Sequence, residues 1–220
     1  MSSSAVRVAD ASTLNRLAAL AGIAAGPLFL VVTLLQLPFN EGIDLTRHAF
    51  SFLTLGPIGW LQQANFVVVG CLYACSSVAV GNAVGGRLGG FTAVLMAVIG
   101  GGMVLSGLFV PDPSYGYPPG APHGAPAELS TSSMVHGVAF MASVLAWLSL
   151  LVTLTGWYRR RGRRGWAWAT TAFGVALLLV PPLSATSFGG LVIYAVVGPG
   201  YVFMSVLIHN LTASQSSRWR

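Results

Sequence analysis

The chain has 220 residues, 55% of them hydrophobic and only 7% Asp, Glu, Lys or Arg. A soluble domain carries about 25% charged residues, so this composition excludes a water-facing globule and makes lipid the solvent. The formal charge is +6, with every basic residue an Arg. The Arg sit beside apolar runs rather than over a surface, which excludes nucleic-acid binding and reads as membrane topology.

A bilayer core about 30 Å thick takes about 20 apolar residues in a helix, and six such runs follow in chain order. Residues 1–16 form a cytoplasmic tail with Arg7 and Arg16, and 17–211 form one transmembrane domain. The first run, Leu17–Pro38, is 22 residues long. A cleavable signal has an apolar region of about 7–15 residues, so this span is retained. Gly22 and Gly26 form a GxxxG pair within it, suited to close helix contact.

The loop that follows reads DLTRHAFSFLTLGPIGWLQQANF from Asp44. Asp44, Arg47, His48 and Ser51 are spaced i, i+3, i+4, i+7, one face of an α-helix. The spacing predicts a short amphipathic helix in the first extracytoplasmic loop, with Asp44 as its N-cap and Gly56–Pro57 as its end. On that helix Asp44 pairs with Arg47 and His48, fixing the imidazole tautomer and favouring its charged form.

The second run, Trp60–Asn82, contains both cysteines, Cys71 and Cys75. Inside an apolar span they read as small packing residues, without a disulfide or zinc framework. The third run is Gly90–Val110, thinned at its middle by Gly100, Gly101 and Gly102. In the second outer loop, Pro111 and Pro113 hold Asp112 in extended backbone, followed by Tyr115, Tyr117 and a Pro-Gly turn. Ser130 to Ser133 are cap candidates for the fourth run, Met134–Gly156, and His136 falls in its first turn or just beyond. The helix dipole there favours a neutral imidazole able to ligate.

Arg159, Arg160, Arg161, Arg163 and Arg164 crowd the next loop, flanked by Trp157, Trp166 and Trp168. That segment reads as a topology anchor with an aromatic belt, and as a patch attractive to anionic lipid headgroups. The fifth run is Trp166–Ala185, carrying Pro181–Pro182, and the sixth is Gly190–Leu211, carrying Gly198–Pro199–Gly200. Both motifs should kink or break their helices. Residues 212–220, with Arg218 and Arg220, form a second cytoplasmic tail. With six spans, ten of the eleven Arg fall on one side, which sets both termini in the cytoplasm and the chain in a cytoplasmic (inner) membrane. Arg47 is the exception. The fold class is thus all-α: six transmembrane helices in a bundle, plus the loop helix.

Four functional readings are open. Arg47, the one permanently charged outer cation, with Ser51, Tyr115 and Tyr117, would make a pocket for an anionic lipid or headgroup. Asp44, His48, Asp112 and His136 supply two carboxylates and two imidazoles, the catalytic and metal-ligand candidates of a membrane-embedded hydrolase using a divalent metal. A proton relay through Asp and His would suit a transporter, though no acid or Arg lies in mid-span. A structural or partner-binding protein is the fourth.

The motifs D-x-x-R-H-x-F-S-F-L-x-L-G-x-x-G-W-L-Q-x-x-N-F and F-x-x-D-P-x-x-G-Y-P-P-G, with a His opening the next span, carry a resemblance. The matching residues are Asp44, Arg47, His48, Phe50, Ser51, Gly59, Trp60, Asn65, Asp112, Pro113, Gly116, Tyr117, Pro118, Gly120 and His136. The chain resembles, over roughly residues 17 to 210, a bacterial six-span membrane family called domain-of-unknown-function family 998. The resemblance implies six membrane helices and supplies no reaction.

Overall fold

The structure is a computed structural model that describes the backbone of residues 2–184 and 187–216. Six helices account for nearly all of it: α1 (Ser2–Gln36), α2 (Gly59–Val84), α3 (Gly86–Leu108), α4 (Thr131–Arg160), α5 (Arg164–Ser184) and α6 (Gly189–Ser216). Each contains a stretch long and apolar enough to cross a membrane. The spans run Ser12–Phe39, Gly59–Val84, Gly86–Leu108, Thr131–Arg160, Arg164–Leu183 and Gly189–Ala213, so the expected edges move by up to five residues. Ala185, Arg218 and Arg220 lie outside the described residues.

Successive helices pack in order, and α6 closes the ring onto α1 while also touching α2. With lipid on the outside there is no hydrophobic gain from helix association, so close backbone approach must hold the seams. The α1–α6 seam shows this. Gly26 N–H donates to Ser205 Oγ at 3.0 Å, and that hydroxyl donates on to Gly22 O at 3.0 Å. A Cβ at Gly26 would occupy the space of the Tyr201 carbonyl. The α2–α3 seam is similar, with Gly100 set against Gly70 and Ala74. Gly102 rests against Ser143 and the Ala139 carbonyl of α4, while Gly101 opens outward. Cys71 and Cys75 are also exposed on the outer surface of α2, so they pack against lipid rather than protein.

The core is an aromatic cluster centred on Tyr201. Phe29 lies 4.5 Å from its ring, Trp147 stacks at 5.3 Å, and Tyr73 donates its hydroxyl to Tyr201 O at 3.0 Å. Neither proline motif breaks its helix. α5 runs through Pro181 and Pro182, and α6 runs through Pro199.

The first loop departs from its expected shape. No α-helix forms over Asp44–Leu53. Residues 45–47 make a turn, and Phe50–Leu55 make a 3-10 helix. Asp44 Oδ1 accepts from Thr46 N–H at 2.8 Å and from Thr46 Oγ1 at 2.6 Å. This local bond competes with helix propagation. Phe50 and Leu53, three apart on the tighter helix, are both buried. Phe50 sits between Phe29 and Tyr194, 5.6 and 4.3 Å away, and plugs the end of the bundle.

Candidate functional site

The two loops between α1 and α2 and between α3 and α4 lie at one end of the bundle and clasp each other. Asn40 continues α1 by donating Nδ2–H to Gln36 O at 2.7 Å, and its Oδ1 accepts from Tyr117 Oη at 2.7 Å. Tyr117 is fully buried, and that burial raises its pKa above the usual tyrosine value. His48 bridges the loops. Its Nδ1 accepts from Asp44 N–H at 2.9 Å, and its Nε2 donates to Tyr115 O at 3.1 Å. The main chain fixes both roles, because an N–H can only donate and a carbonyl can only accept. The tautomer of His48 is therefore set by the Asp44 backbone rather than by its carboxylate, a correction to the pairing expected from the helical spacing. The ring is 2% exposed and lies 5.0 Å from Phe52 and 5.3 Å from Tyr117.

Asp44 and Arg47 do form an ion pair, at 3.7 Å with side-chain exposures of 46% and 61%. In water such a pair adds about 0–1 kcal/mol. Hydrogen bonds from Thr46 hold the Asp44 carboxyl below its usual range, with a smaller contribution from Arg47. Asp112 stands at the start of α4, where its Oδ2 accepts from Ser130 N–H at 2.8 Å. Hydrogen bonding from Ser130 lowers its pKa. Ser130 in turn caps α4, its Oγ accepting from Ser133 N–H at 3.1 Å.

The candidate residues therefore separate into three places: His48 and Tyr117 in the clasp, Asp112 at a helix cap, and His136 elsewhere. Among the described residues, no three or more His, Cys, Asp or Glu side chains gather into a group able to hold a metal ion. Tyr115 contributes its carbonyl to the clasp and leaves its ring partly exposed.

His136 lines a cavity of about 180 Å³ between α2, α3, α4 and α6, closed at its outer end by Ala49, Phe50 and Ser51. Its Nδ1 faces two carbonyls, Phe109 O at 2.8 Å and Ser106 O at 3.2 Å, and so carries the proton. In the neutral ring Nε2 is then a lone-pair acceptor. Ser51 and Ser106 line the same space, and Tyr201 marks its deep end. Tyr201 is twelve residues into α6, about 18 Å at 1.5 Å per residue, near the middle of a bilayer core. A second cavity of about 150 Å³ shares Phe140, Ile193 and Val197 with the first and continues along Val144, Leu177 and Pro181. Together they form a slot that is polar at one end and apolar along the rest.

Sequence reasoning missed the clasp partner Asn40 and a buried amide cluster behind it. Gln36, Gln62 and Asn65 bond one another and Thr33 between α1 and α2. Amides spaced i, i+4 (Gln36, Asn40) and i, i+3 (Gln62, Asn65) within apolar runs were the available signal.

The family model described as "Protein of unknown function (DUF998)" matches residues 23–209. The chain belongs to this family. No curated protein and no solved structure matches it. In this DUF998 protein the family match runs from within α1 to within α6 and includes both clasp loops, so the slot lies wholly within the matched region. It is a multi-pass membrane protein.

Proposed function

We propose that this DUF998 protein holds a single-chain amphiphile drawn from the surrounding leaflet, its chain in the slot and its head hydrogen-bonded to His136, Ser51 and Ser106. The observation that carries the reading is the unequal lining of the slot: an imidazole acceptor and two serines at the outer end, and only apolar side chains beyond Phe140. Each cavity is smaller than the roughly 300 Å³ that a drug-sized ligand needs, which suits one flexible chain rather than a ring system. No cation lines the slot, and Arg47 is exposed and paired with Asp44. The head that fits is therefore a neutral hydrogen-bond donor such as a hydroxyl, rather than the anion that Arg47 alone would attract. Monoacylglycerol has this chemistry.

The same proposal sets the clasp loops on the extracytoplasmic side of a bacterial cytoplasmic membrane, with both termini inside. Its support is the placement of the Arg-rich segments at the opposite end of the bundle. Labelling with an impermeant maleimide in intact cells tests this, with a cysteine at position 123 expected to react and one at 162 expected to be protected.

Gly137 gives the cleanest test of the slot. It lines the cavity, and a Cβ there would meet no atom within 4 Å. A Gly137→Leu variant therefore brings bulk to the cavity wall with its Cβ unobstructed, and helix propensity does not oppose the replacement. Native mass spectrometry with 1-oleoylglycerol should show one bound molecule on the wild type and none on Gly137→Leu at the same melting temperature. Equal binding by both places the lipid elsewhere and ends the proposal.

A further inference from the structure

At the other end of the bundle the five arginines between α4 and α5 are not equivalent. Arg161 lies over the Trp157 ring, with Cζ 3.8 Å from its centroid, and Arg163 lies over Tyr158 at 5.4 Å. Both rings are buried and fixed. Trp157 Nε1–H donates to Val84 O at 3.2 Å, and Tyr158 Oη donates to Asn210 Oδ1 at 3.0 Å. These two cations are thus spent on fastening the α4–α5 turn, where Gly162 takes a φ of +71°. Arg159 and Arg164 instead line a hollow of about 560 Å³ with Ala167, Trp168 and Thr171. Arg164, Trp168 and Thr171 are spaced i, i+4, i+7 and share one face of α5.

We infer that this hollow is a second, separate site, which takes the phosphodiester head of an anionic phospholipid from the leaflet at that end. Arg159 and Arg164 reach it from two different helices, an arrangement suited to forked hydrogen bonding of one phosphate. Neither has a carboxylate partner among the described residues. The four acidic side chains described, Glu41, Asp44, Asp112 and Glu128, all belong to the clasp loops at the far end. Trp168 is 73% exposed, one helical turn deeper than Arg164. That is the level at which an indole meets the glycerol and upper chains of a lipid. The first turn of α5 adds the positive end of a 21-residue helix. The occupant is a lipid rather than a free anion because the hollow's wall continues along α5 into the membrane-facing surface through the exposed Trp168 and Thr171, over the buried Ala167.

The test is a titration of the full-length protein in neutral detergent, read by native mass spectrometry. The lipids are dioleoylphosphatidylglycerol and dioleoylphosphatidylcholine, with millimolar inorganic phosphate as a competitor. The wild type should prefer phosphatidylglycerol. Arg159→Gln/Arg164→Gln should lose about tenfold or more of that affinity, the scale of two charge-assisted contacts. Arg161→Gln/Arg163→Gln removes the same charge and should change it by less than about threefold, because those cations already have partners. Trp168→Ala, at an exposed position and without change in charge, should weaken phosphatidylglycerol binding as well. Equal losses in the two double variants would reduce the effect to diffuse charge and overturn the site, as would equal binding of phosphatidylcholine. Displacement of the lipid by inorganic phosphate would also overturn it. Monoacylglycerol binding in the slot should be the same in every variant, so failure here leaves that reading standing.

Discussion

Replacing Tyr117 by Phe removes one oxygen from the clasp and changes little else in shape. The lost hydroxyl donates to Asn40 Oδ1 at 2.7 Å, and Tyr117 and Asn40 are 0% and 2% exposed. Among the described residues no other hydrogen bond reaches Asn40 Oδ1, and Asn40 Nδ2 is already used on Gln36 O. Gly56 lies close against both polar groups, so there is little room for a water to take over. An orphaned buried acceptor costs about 1–3 kcal/mol, and the closed surroundings put this one in the upper half, about 2–3 kcal/mol. That is a roughly 30- to 150-fold rise in the population of the opened clasp. Hydrogen exchange in nanodiscs reads it directly. Peptides covering residues 40–50 and 112–125 should exchange faster by about that factor, while α2 and α3 stay unchanged. A rise of less than about threefold would refute the claim that this bond holds the loops together.

Gly190→Ala should release the first loop from α6, because a Cβ there would strike Leu45 O and the Arg47 and Thr46 backbone beside the Gly190 N–H···O Thr46 bond of 2.8 Å. The expected loss is about 1–3 kcal/mol in a thermal melt, against no loss for Gly101→Ala, whose Cβ meets open space. Gly26→Ala should cost at least as much by forcing α1 off the Tyr201 carbonyl. The clasp should also be acid-sensitive. Asp44 and Asp112 have folded pKa values below 3.8. Their contribution is present above that value and is lost as pH falls through the folded pKa. Protection factors in the two loops, that is exchange corrected for the intrinsic pH dependence of amides, should therefore stay flat from neutral pH down to about 4 and fall only below it, and Asp112→Asn should remove part of that fall. Tyr117 acts in the opposite sense. Its raised pKa keeps its contribution intact below about 10, and the contribution falls away as pH climbs through the folded value.

The six spans were legible because a run of some 20 apolar residues admits few other structures in lipid. Their ends were less so. α4 begins three residues before the expected Met134, at Thr131, because Ser130 rather than a later serine makes the cap. The stripe Asp44, Arg47, His48, Ser51 fits a helical face, yet its first residue bonds Thr46 locally and its last belongs to a 3-10 helix. Over so short a segment the i, i+3 spacing of a tighter helix passes for the α period. The proline motifs do not end their helices: Pro181, Pro182 and Pro199 stay inside α5 and α6 while facing outward from the bundle. His136 was legible as a residue to watch, while its cavity partners were not. Ser51, Ser106, Phe140 and Val197 come from four separate segments, and their meeting depends on the packing of the whole ring. The unequal roles of the arginines were hidden in the same way, since Trp157 and Tyr158 must first be buried to hold Arg161 and Arg163.

The account rests on the slot between α4 and α6 being the place where an amphiphile sits. A monoacylglycerol with a diazirine midway along its chain, photolysed with the protein in nanodiscs and mapped by peptide mass spectrometry, tests this most directly. The account predicts labelling at Phe140, Ile193 and Val197 that disappears in Gly137→Leu. Labelling confined to outward residues such as Val138, Val152 and Leu178, unchanged by that substitution, would contradict it.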